Sequence, residues 1–271
     1  MLFSSLLLSA PVAAQETATV TSWSIEPGNN AMLLRWETGN EIDSIAFNIY
    51  RGQSNDIVKA VKLTKRAIPS QVPGSATGAS YEYLDKTAKA GKTYYYWLEH
   101  VLSGSPDGGL FLMSIYELGA ARWSKPQALR VNPAAGGKAH NLTQRFTATF
   151  RDLDADLATV YMLIGDGPTL SGSMALRYEV ATGLLSLYDE RQGGWQEGIQ
   201  AQTAANLRCT WGTLNGMASR IYTAEQGATL RVGWVVRFTQ PFVGPHTIYI
   251  MAEDSAGNSS GWQEAGNWEV Q

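Results

Sequence analysis

The feature that most constrains this sequence is a period of two, in which apolar side chains alternate with polar or small ones. In the segment TLRVGWVVRF the apolar positions are Leu230, Val232, Trp234 and Val236. Such alternation is typical of a β-strand with one buried face. Similar runs follow one another from Thr17 onwards, with Gly, Pro, Asn and Ser between them. Their spacing predicts an all-β fold made of β-sandwiches rather than βαβ units.

The runs fall into two groups, which are separated by the irregular stretch RWSKPQALRVNPAAGGKAHN. Pro, Gly and Ala interrupt the alternation there. We therefore expect two tandem β-sandwich domains, 16–126 and 127–271, after an N-terminal segment 1–15. Within them, RYEVATGLLSLYDE is typical of a hairpin that turns at ATG. In SNDIVKAVKL the Val–Lys alternation favours an edge strand over a helical turn that begins at an Asx cap.

Three motifs in the first half, LLRWET, FNIYRG and AGKTYYYWLEHV, carry a resemblance to fibronectin type III domains. The resemblance covers roughly residues 17–126. Trp36 matches the core tryptophan of that family, and Tyr94 matches its tyrosine-corner residue, whose hydroxyl would bind the preceding loop. Tyr96 shares a strand face with Tyr94. We expect Trp36, Tyr94, Tyr96 and, in the second half, Trp234 to be core residues.

The second half resembles immunoglobulin-like modules of large bacterial surface proteins. The motifs that carry this resemblance are FRDLDADLATVYMLI, LLSLYDERQGGW and YIMAEDSAGNSSGWQEAGNWEV. The resemblance implies a second β-sandwich and a setting at the cell surface. It implies no particular activity.

The N-terminal segment joins an apolar block, LFSSLLL, to the small residues of APVAAQ. This pattern fits a secretory signal peptide, except that no Lys or Arg precedes the apolar block. A second interpretation is an extended strand that adds to an open sheet edge of another subunit. Both interpretations predict a secreted, extracellular protein of the cell surface, whose partners are copies of itself or other surface proteins. In the second, the assembly residues are Leu2, Phe3, Leu6, Leu7, Leu8 and Val12.

Charge and composition exclude other partner classes. The formal net charge is -3, and no basic stripe offers itself to nucleic acid. Beyond the first residues, no apolar run approaches the roughly 20 residues of a membrane span. Cys209 is the only cysteine, so the chain forms no internal disulfide. We interpret it as a small buried apolar residue, with a reactive or intermolecular thiol as the alternative.

An acidic motif is the strongest candidate for a metal site. RDLDADL places an aspartate at every second position, and AEDSAGN lies in a loop that an immunoglobulin-like strand order would bring to the same pole. Carboxylate and amide oxygens are the ligands that Ca²⁺ prefers. The alternative is that these side chains cap local turns. The candidate calcium ligands are Asp152, Asp154, Asp156, Asp254 and Asn258.

Aromatic residues supply a second candidate site. Four tryptophans of the second half fall near turns or strand ends: Trp195, Trp211, Trp262 and Trp268. Exposed tryptophan faces stack well on sugar rings, whereas buried ones build the core of a sandwich. Trp195 lies in QGGWQEG, a polar and glycine-rich turn, and is the candidate for binding a polysaccharide.

No motif indicates catalysis. GNSSG matches the nucleophile-elbow pattern, but no helix or His follows it. The carboxylates Glu37, Glu41, Glu179, Asp189 and Glu190 qualify for glycoside hydrolysis by residue type alone. We therefore expect a non-enzymatic, exported structural or adhesive protein, and one form that it can take is a filament subunit that assembles through its N-terminal strand. The alternative is an accessory protein that binds carbohydrate through exposed tryptophans.

Overall fold

The computed structural model describes residues 18–103 and 112–271. The segment 1–15 and its six apolar assembly residues lie outside the described residues. The same holds for most of the SGSPDGG turn.

The described residues form 22 strands and three short 3₁₀ helices. In chain order the strands are β1 (Thr19–Gly28), β2 (Ala31–Asn40), β3 (Ser44–Gly52), β4 (Val61–Lys62), β5 (Ile68–Pro69), β6 (Ser80–Asp85), β7 (Tyr94–Leu102), β8 (Leu112–Ala121), β9 (Gln127–Asn132), β10 (Ala135–Lys138), β11 (Thr143–Arg151), β12 (Leu157–Gly165), β13 (Met174–Glu179), β14 (Leu184–Asp189), β15 (Gly194–Trp195), β16 (Ile199–Gln200), β17 (Asn206–Arg208), β18 (Gly212–Asn215), β19 (Arg220–Ala224), β20 (Thr229–Phe238), β21 (Gly244–Asp254) and β22 (Gln263–Val270). The 3₁₀ helices are Ile57–Lys59, Glu225–Gly227 and Gln240–Phe242.

The strands build four sheets. β1–β8 supply a three-stranded sheet, β1-β2-β6, and a five-stranded sheet, β4-β3-β7-β8, in which β5 also pairs with β3. β9–β22 supply an eight-stranded sheet, β10-β22-β21-β12-β13-β14-β15 with β16 on β14, and a six-stranded sheet, β17-β18-β20-β11-β9 with β19 on β20. The expected all-β class with two sandwiches is confirmed.

The chain divides into two compact units. The first takes Leu33–Asp85, Tyr94–Ala121 and the described residues up to Glu26, and the second takes Pro27–Met32, Lys86–Thr93 and Arg122–Gln271. Two short stretches from the first half of the chain, which include parts of β1 and β2, are therefore grouped with the second unit.

The first unit has an aromatic core between its two sheets. Trp36 on β2 stacks on Tyr81 of β6, with ring centroids 5.1 Å apart, and both contact Phe47 of β3. Such ring pairs add to the stabilisation that burial of their apolar area provides. On β7, the Tyr96 hydroxyl is buried and donates a hydrogen bond to Asp85 Oδ2 over 2.9 Å. This bond ties β7 to the end of β6.

The second unit has a larger core, in which both of its sheets take part. β20 contributes the expected alternating residues Leu230, Val232, Trp234 and Val236, all buried. Phe150 on β11 meets Trp234 edge to face at 6.3 Å. The predicted hairpin is confirmed, since β13 and β14 pair in antiparallel register around the turn 180–183.

The prediction for SNDIVKAVKL was incomplete. SNDIVKAVKL begins with the 3₁₀ helix Ile57–Lys59, because the Asp56 carboxylate accepts the N–H of Val58 and caps it. Only Val61 and Lys62 then form the expected edge strand, β4.

None of the helices in the described part of the chain has the length and apolar character needed to cross a membrane.

Candidate functional site

The outer face of the eight-stranded sheet carries a cluster of apolar side chains. On β12, Val160, Met162 and Ile164 point into the core of the second unit. Their neighbours on the strand, Tyr161 and Leu163, must therefore lie on the opposite face. Leu163 forms a second small cluster there, which is separate from the main core. Both faces of this sheet thus hold apolar side chains.

Four aromatic rings lie next to one another on this outer face. The ring centroids of Trp262 and Tyr161 are 6.0 Å apart, those of Tyr161 and Trp195 are 6.0 Å apart, and those of Trp195 and Tyr188 are 5.6 Å apart. We call Trp262, Tyr161, Trp195 and Tyr188 the aromatic row. All four side chains are partly buried and partly open to solvent.

A buried apolar layer supports the aromatic row. Leu163, Ala175 and Tyr249 are buried on the same face, and Tyr188, Trp195 and Trp262 pack against them. The strand register explains this, because Leu163 of β12 pairs with Ala175 of β13 and with Tyr249 of β21. The rings are therefore held on regular strands rather than on free loops, apart from Trp262, which precedes β22.

Charged groups lie among the rings. The Arg177 guanidinium is 4.8 Å from the ring centroid of Trp195 and 2.8 Å from Glu179 Oε1. Tyr161 Oη donates a hydrogen bond to Glu253 Oε2 over 2.9 Å. Burial, together with this bond and the charge of Glu253, raises the pKa of Tyr161 to about 12, so its hydroxyl remains a neutral donor.

The structure separates the four tryptophans that the sequence singled out. Trp195 and Trp262 belong to the aromatic row. Trp268 is buried in the core, where it meets Phe146 edge to face at 4.9 Å. Trp211 packs on the same core beside Phe242. Sequence analysis named neither Tyr161 nor Tyr188, which complete the row.

The acidic motif lies at one end of the second unit. One carboxylate oxygen from each of Asp152, Asp156 and Asp254 lies within 4.8 Å of the other two. We call these three residues the acidic triad. The other two candidate ligands have different partners. Asp154 Oδ1 pairs with Arg122 at 3.2 Å. Asn258 donates its backbone N–H and its Nδ2 to the Asp254 carboxylate.

The triad concentrates negative charge in a partly enclosed place. The pKa of Asp156 is raised to about 6, first because burial disfavours its charged form and then because Asp152, Asp254 and Asp154 repel it. A group of carboxylates in this state can bind a proton or a cation.

The predicted core residues Trp36, Tyr94, Tyr96 and Trp234 are all buried, with at most 4% of any of them exposed. Cys209 is also buried, in the turn between β17 and β18. Burial raises the pKa of its thiol, which keeps it protonated at neutral pH.

The carboxylates considered for hydrolysis have local partners. Glu179 pairs with Arg177, Glu190 accepts the N–H of Gly172, and Asp189 accepts the N–H of Arg191. Glu37 accepts a hydrogen bond from Ser22 Oγ.

Glu41 is a fully buried carboxylate with a dense set of donors. It accepts hydrogen bonds from the hydroxyls of Ser70, Tyr81 and Thr38 and from the N–H of Val72. Burial alone would raise its pKa, but the four hydrogen bonds outweigh burial and hold the pKa below its ordinary value. This arrangement stabilises a fixed anion, in contrast to the raised pKa that a general acid needs.

No family model and no curated protein matches the chain. Among solved structures, the chain is similar to the fibronectin(III)-like modules of Clostridium thermocellum CbhA. The identity is 12% over 94% of this chain and 94% of that chain, and the TM-score is 0.29. At this score the similarity carries no argument about function or family.

Proposed function

We propose that this chain is a non-enzymatic binding protein, whose second unit holds a carbohydrate chain against the aromatic row. The observation that carries the proposal is the continuous contact of Trp262, Tyr161, Trp195 and Tyr188 on an outward sheet face. Contiguous apolar surface that remains open to solvent commonly marks an interaction site.

The chemistry of the row favours a sugar as the occupant. A pyranose ring has an apolar face of C–H groups and an edge of hydroxyls. Aromatic rings pack against the C–H face, and groups that donate and accept hydrogen bonds bind the hydroxyls at the edge. Around the row, Arg177 offers donors and Glu179 and Glu253 offer acceptors. A purely apolar partner would remove water from these charged groups and offer them no hydrogen bonds beyond those that they already form with one another and with Tyr161.

The open geometry suggests a polymer rather than a small molecule. Rings that lie on one sheet face form a platform, whereas small-molecule sites are concave and enclose most of their ligand. A platform can hold successive units of a chain that extends past it. Polysaccharides of the cell surface or its surroundings fit this description.

The experiment measures retention on a panel of polysaccharides: cellulose, chitin, xylan and peptidoglycan. We expect the wild-type chain to bind at least one of them and Trp195→Ala to weaken that binding roughly tenfold or more, as expected for loss of one stacking ring. The matched control is Trp23→Ala, because Trp23 is a tryptophan of the first unit with 43% of its surface exposed.

Two results would contradict the carbohydrate-binding proposal. Failure of the wild-type chain to bind any polymer of the panel would refute it, as would an equal loss in Trp195→Ala and Trp23→Ala. Thermal unfolding of each variant checks that the fold persists.

Adhesion at the cell surface, export and self-assembly form the wider proposal, which rests on the sequence. An exported protein that binds glycans would act as an adhesive or structural component, and copies joined through residues 1–15 would form a filament. Deletion of these residues should then leave soluble monomers. Polymers that form unchanged after the deletion would refute the strand-exchange version.

A further inference from the structure

We propose that the acidic triad of the second unit, Asp152, Asp156 and Asp254, binds one Ca²⁺ ion. This site is independent of the aromatic row and of the proposed carbohydrate binding.

The strand pairing brings the triad together. Asp152 and Asp156 lie in the loop between β11 and β12, and Asp254 ends β21. Because β12 pairs with β21, Leu157 at the start of β12 lies opposite Asp254. The N–H of Ser255 then donates to the carbonyl of Asp156 over 2.9 Å, which joins the two loops directly. The carboxylates are thus positioned by the sheet.

Asp152 supplies a second observation, which is independent of the clustering of the three carboxylates. It is a buried carboxylate, with 1% of its surface exposed. Its Oδ1 accepts hydrogen bonds from Ser124 Oγ and from the N–H of Asp154. Its Oδ2 is also buried but accepts no hydrogen bond from the described residues. A buried carboxylate oxygen without a partner is costly, and a cation bound between the three carboxylates would remove that cost.

The nearby charges do not neutralise the triad. Within the described residues, none of its three carboxylates forms an ion pair with a Lys, Arg or His side chain; the nearest pair in the same loop joins Arg122 to Asp154. Asp154 is therefore compensated, while the triad carries up to three negative charges. A divalent cation offsets most of that repulsion.

The ligand type favours Ca²⁺. Carboxylate oxygens are hard ligands, and Ca²⁺ accepts irregular sets of them, whereas Mg²⁺ requires a near-ideal octahedron and keeps several of its waters. One oxygen from each triad residue lies within 4.8 Å of the other two, so a single ion can contact all three. Water and loop carbonyls would complete its six to eight ligands.

The side-chain hydrogen bonds of Asn258 differ from those expected of the calcium ligand that the sequence suggested. Its Nδ2 donates to Asp254 Oδ2, and its Oδ1 accepts the N–H of Asn30, which belongs to the same unit. Asn258 therefore positions the Asp254 carboxylate, and we assign it no place among the ligands.

The test is a titration of the metal-stripped 271-residue chain with Ca²⁺. Calorimetry measures the heat of binding, and thermal unfolding measures Tm at each Ca²⁺ concentration. We expect binding heat and a rise in Tm with Ca²⁺ up to about 10 mM, and a weaker response to Mg²⁺. Asp156→Asn, at a partly exposed position, should lower the affinity at least tenfold. Without metal it should unfold at the same or a higher temperature than wild type, because it relieves repulsion. Asp154→Asn is the matched control: it removes a nearby negative charge but no triad ligand, so it should lower the affinity far less than Asp156→Asn does.

Three results would overturn the proposal: no heat and no Tm rise with Ca²⁺ in the wild-type chain, undiminished affinity in Asp156→Asn, or an equal response to Mg²⁺. Because Asp156→Asn removes no hydrogen bond from the core, loss of the Ca²⁺ response with a preserved Tm cannot be ascribed to misfolding.

Discussion

Removal of one buried hydroxyl tests how the first unit is held together. Tyr96 is fully buried, and its hydroxyl donates to Asp85 Oδ2 over 2.9 Å. The same oxygen pairs with Arg51 Nη1 at 2.6 Å. Burial and the nearby Asp85 charge both raise the pKa of Tyr96, so the hydroxyl keeps its proton at neutral pH. Tyr96→Phe keeps the ring and removes only this donor.

The structure sets the expected magnitude. A hydrogen bond to a charged group contributes about 1.5–3 kcal/mol. Asp85 retains Arg51 after the substitution, so its carboxylate is not left without a partner. We therefore expect Tyr96→Phe to lower the free energy of unfolding by about 2 kcal/mol, towards the lower half of that range.

The assay is equilibrium unfolding in urea, followed by tryptophan fluorescence. Because the chain has two cores, two transitions are to be fitted, and the substitution should move only one of them. Tyr95→Phe is the control, since Tyr95 is the neighbouring residue on β7 and is partly exposed. It should change stability by less than about 0.5 kcal/mol. An equal effect of the two substitutions would refute the reasoning.

Two further predictions concern pH. The buried His100 has a lowered pKa because burial outweighs the attraction of Asp43 and Glu41, so the folded chain binds fewer protons than the unfolded chain. The contribution of neutral His100 to the free energy of unfolding should therefore be complete above pH ~6.5 and decrease below that pH, by at most about 1.4 kcal/mol per pH unit. Urea titrations at several pH values should show a weaker pH dependence of stability in His100→Asn. An equal pH dependence in the variant and the wild type would contradict this. The lowered pKa of Glu41 adds stability that is present above its ordinary pKa and is lost as the pH falls through its folded pKa. Glu41→Gln should lower the free energy of unfolding by about 2 kcal/mol at neutral pH and should remove the further loss of stability at acid pH. Unfolding curves between pH 7 and pH 3 would detect both effects. If the variant loses as much stability in acid as the wild type does, other carboxylates cause that loss.

The fold class was predictable because the buried faces follow a local rule. TLRVGWVVRF alternates over its whole length, and the structure has a single strand there, Thr229–Phe238. A strand whose two faces differ so clearly has one stable orientation against a core. The hairpin of β13 and β14 was predictable for the same reason, together with its glycine-containing turn.

Other elements depend on partners that are distant in the sequence. AGGK, at Ala135–Lys138, shows no alternation, yet it forms β10 by pairing in parallel with β22. The unpaired backbone groups at the edge of β22 provide that opportunity. NLRCTWGTL forms two short strands, β17 and β18, with Cys209 in the turn between them. Local patterns hold no information about either arrangement.

The aromatic row was predictable only in part. Trp195 was found because its glycine-rich surroundings are polar. ATVYMLI, by contrast, is apolar at odd and even positions alike, so the sequence could not tell which of Tyr161 and Met162 faces the core. The row also takes its rings from four separate segments of the chain. Its contacts become visible once the order of strands in the sheet is known.

The Glu41 carboxylate has a consequence for the irregular segment between β5 and β6. Besides binding Ser70 and Val72 through its side chain, Glu41 accepts the N–H of Gly74 at its backbone carbonyl and donates its own N–H to Ser75. Amide protons of this loop should consequently exchange with deuterium as slowly as those of a sheet. Proteases that cut at flexible loops should leave it intact for as long as that anion stays in place.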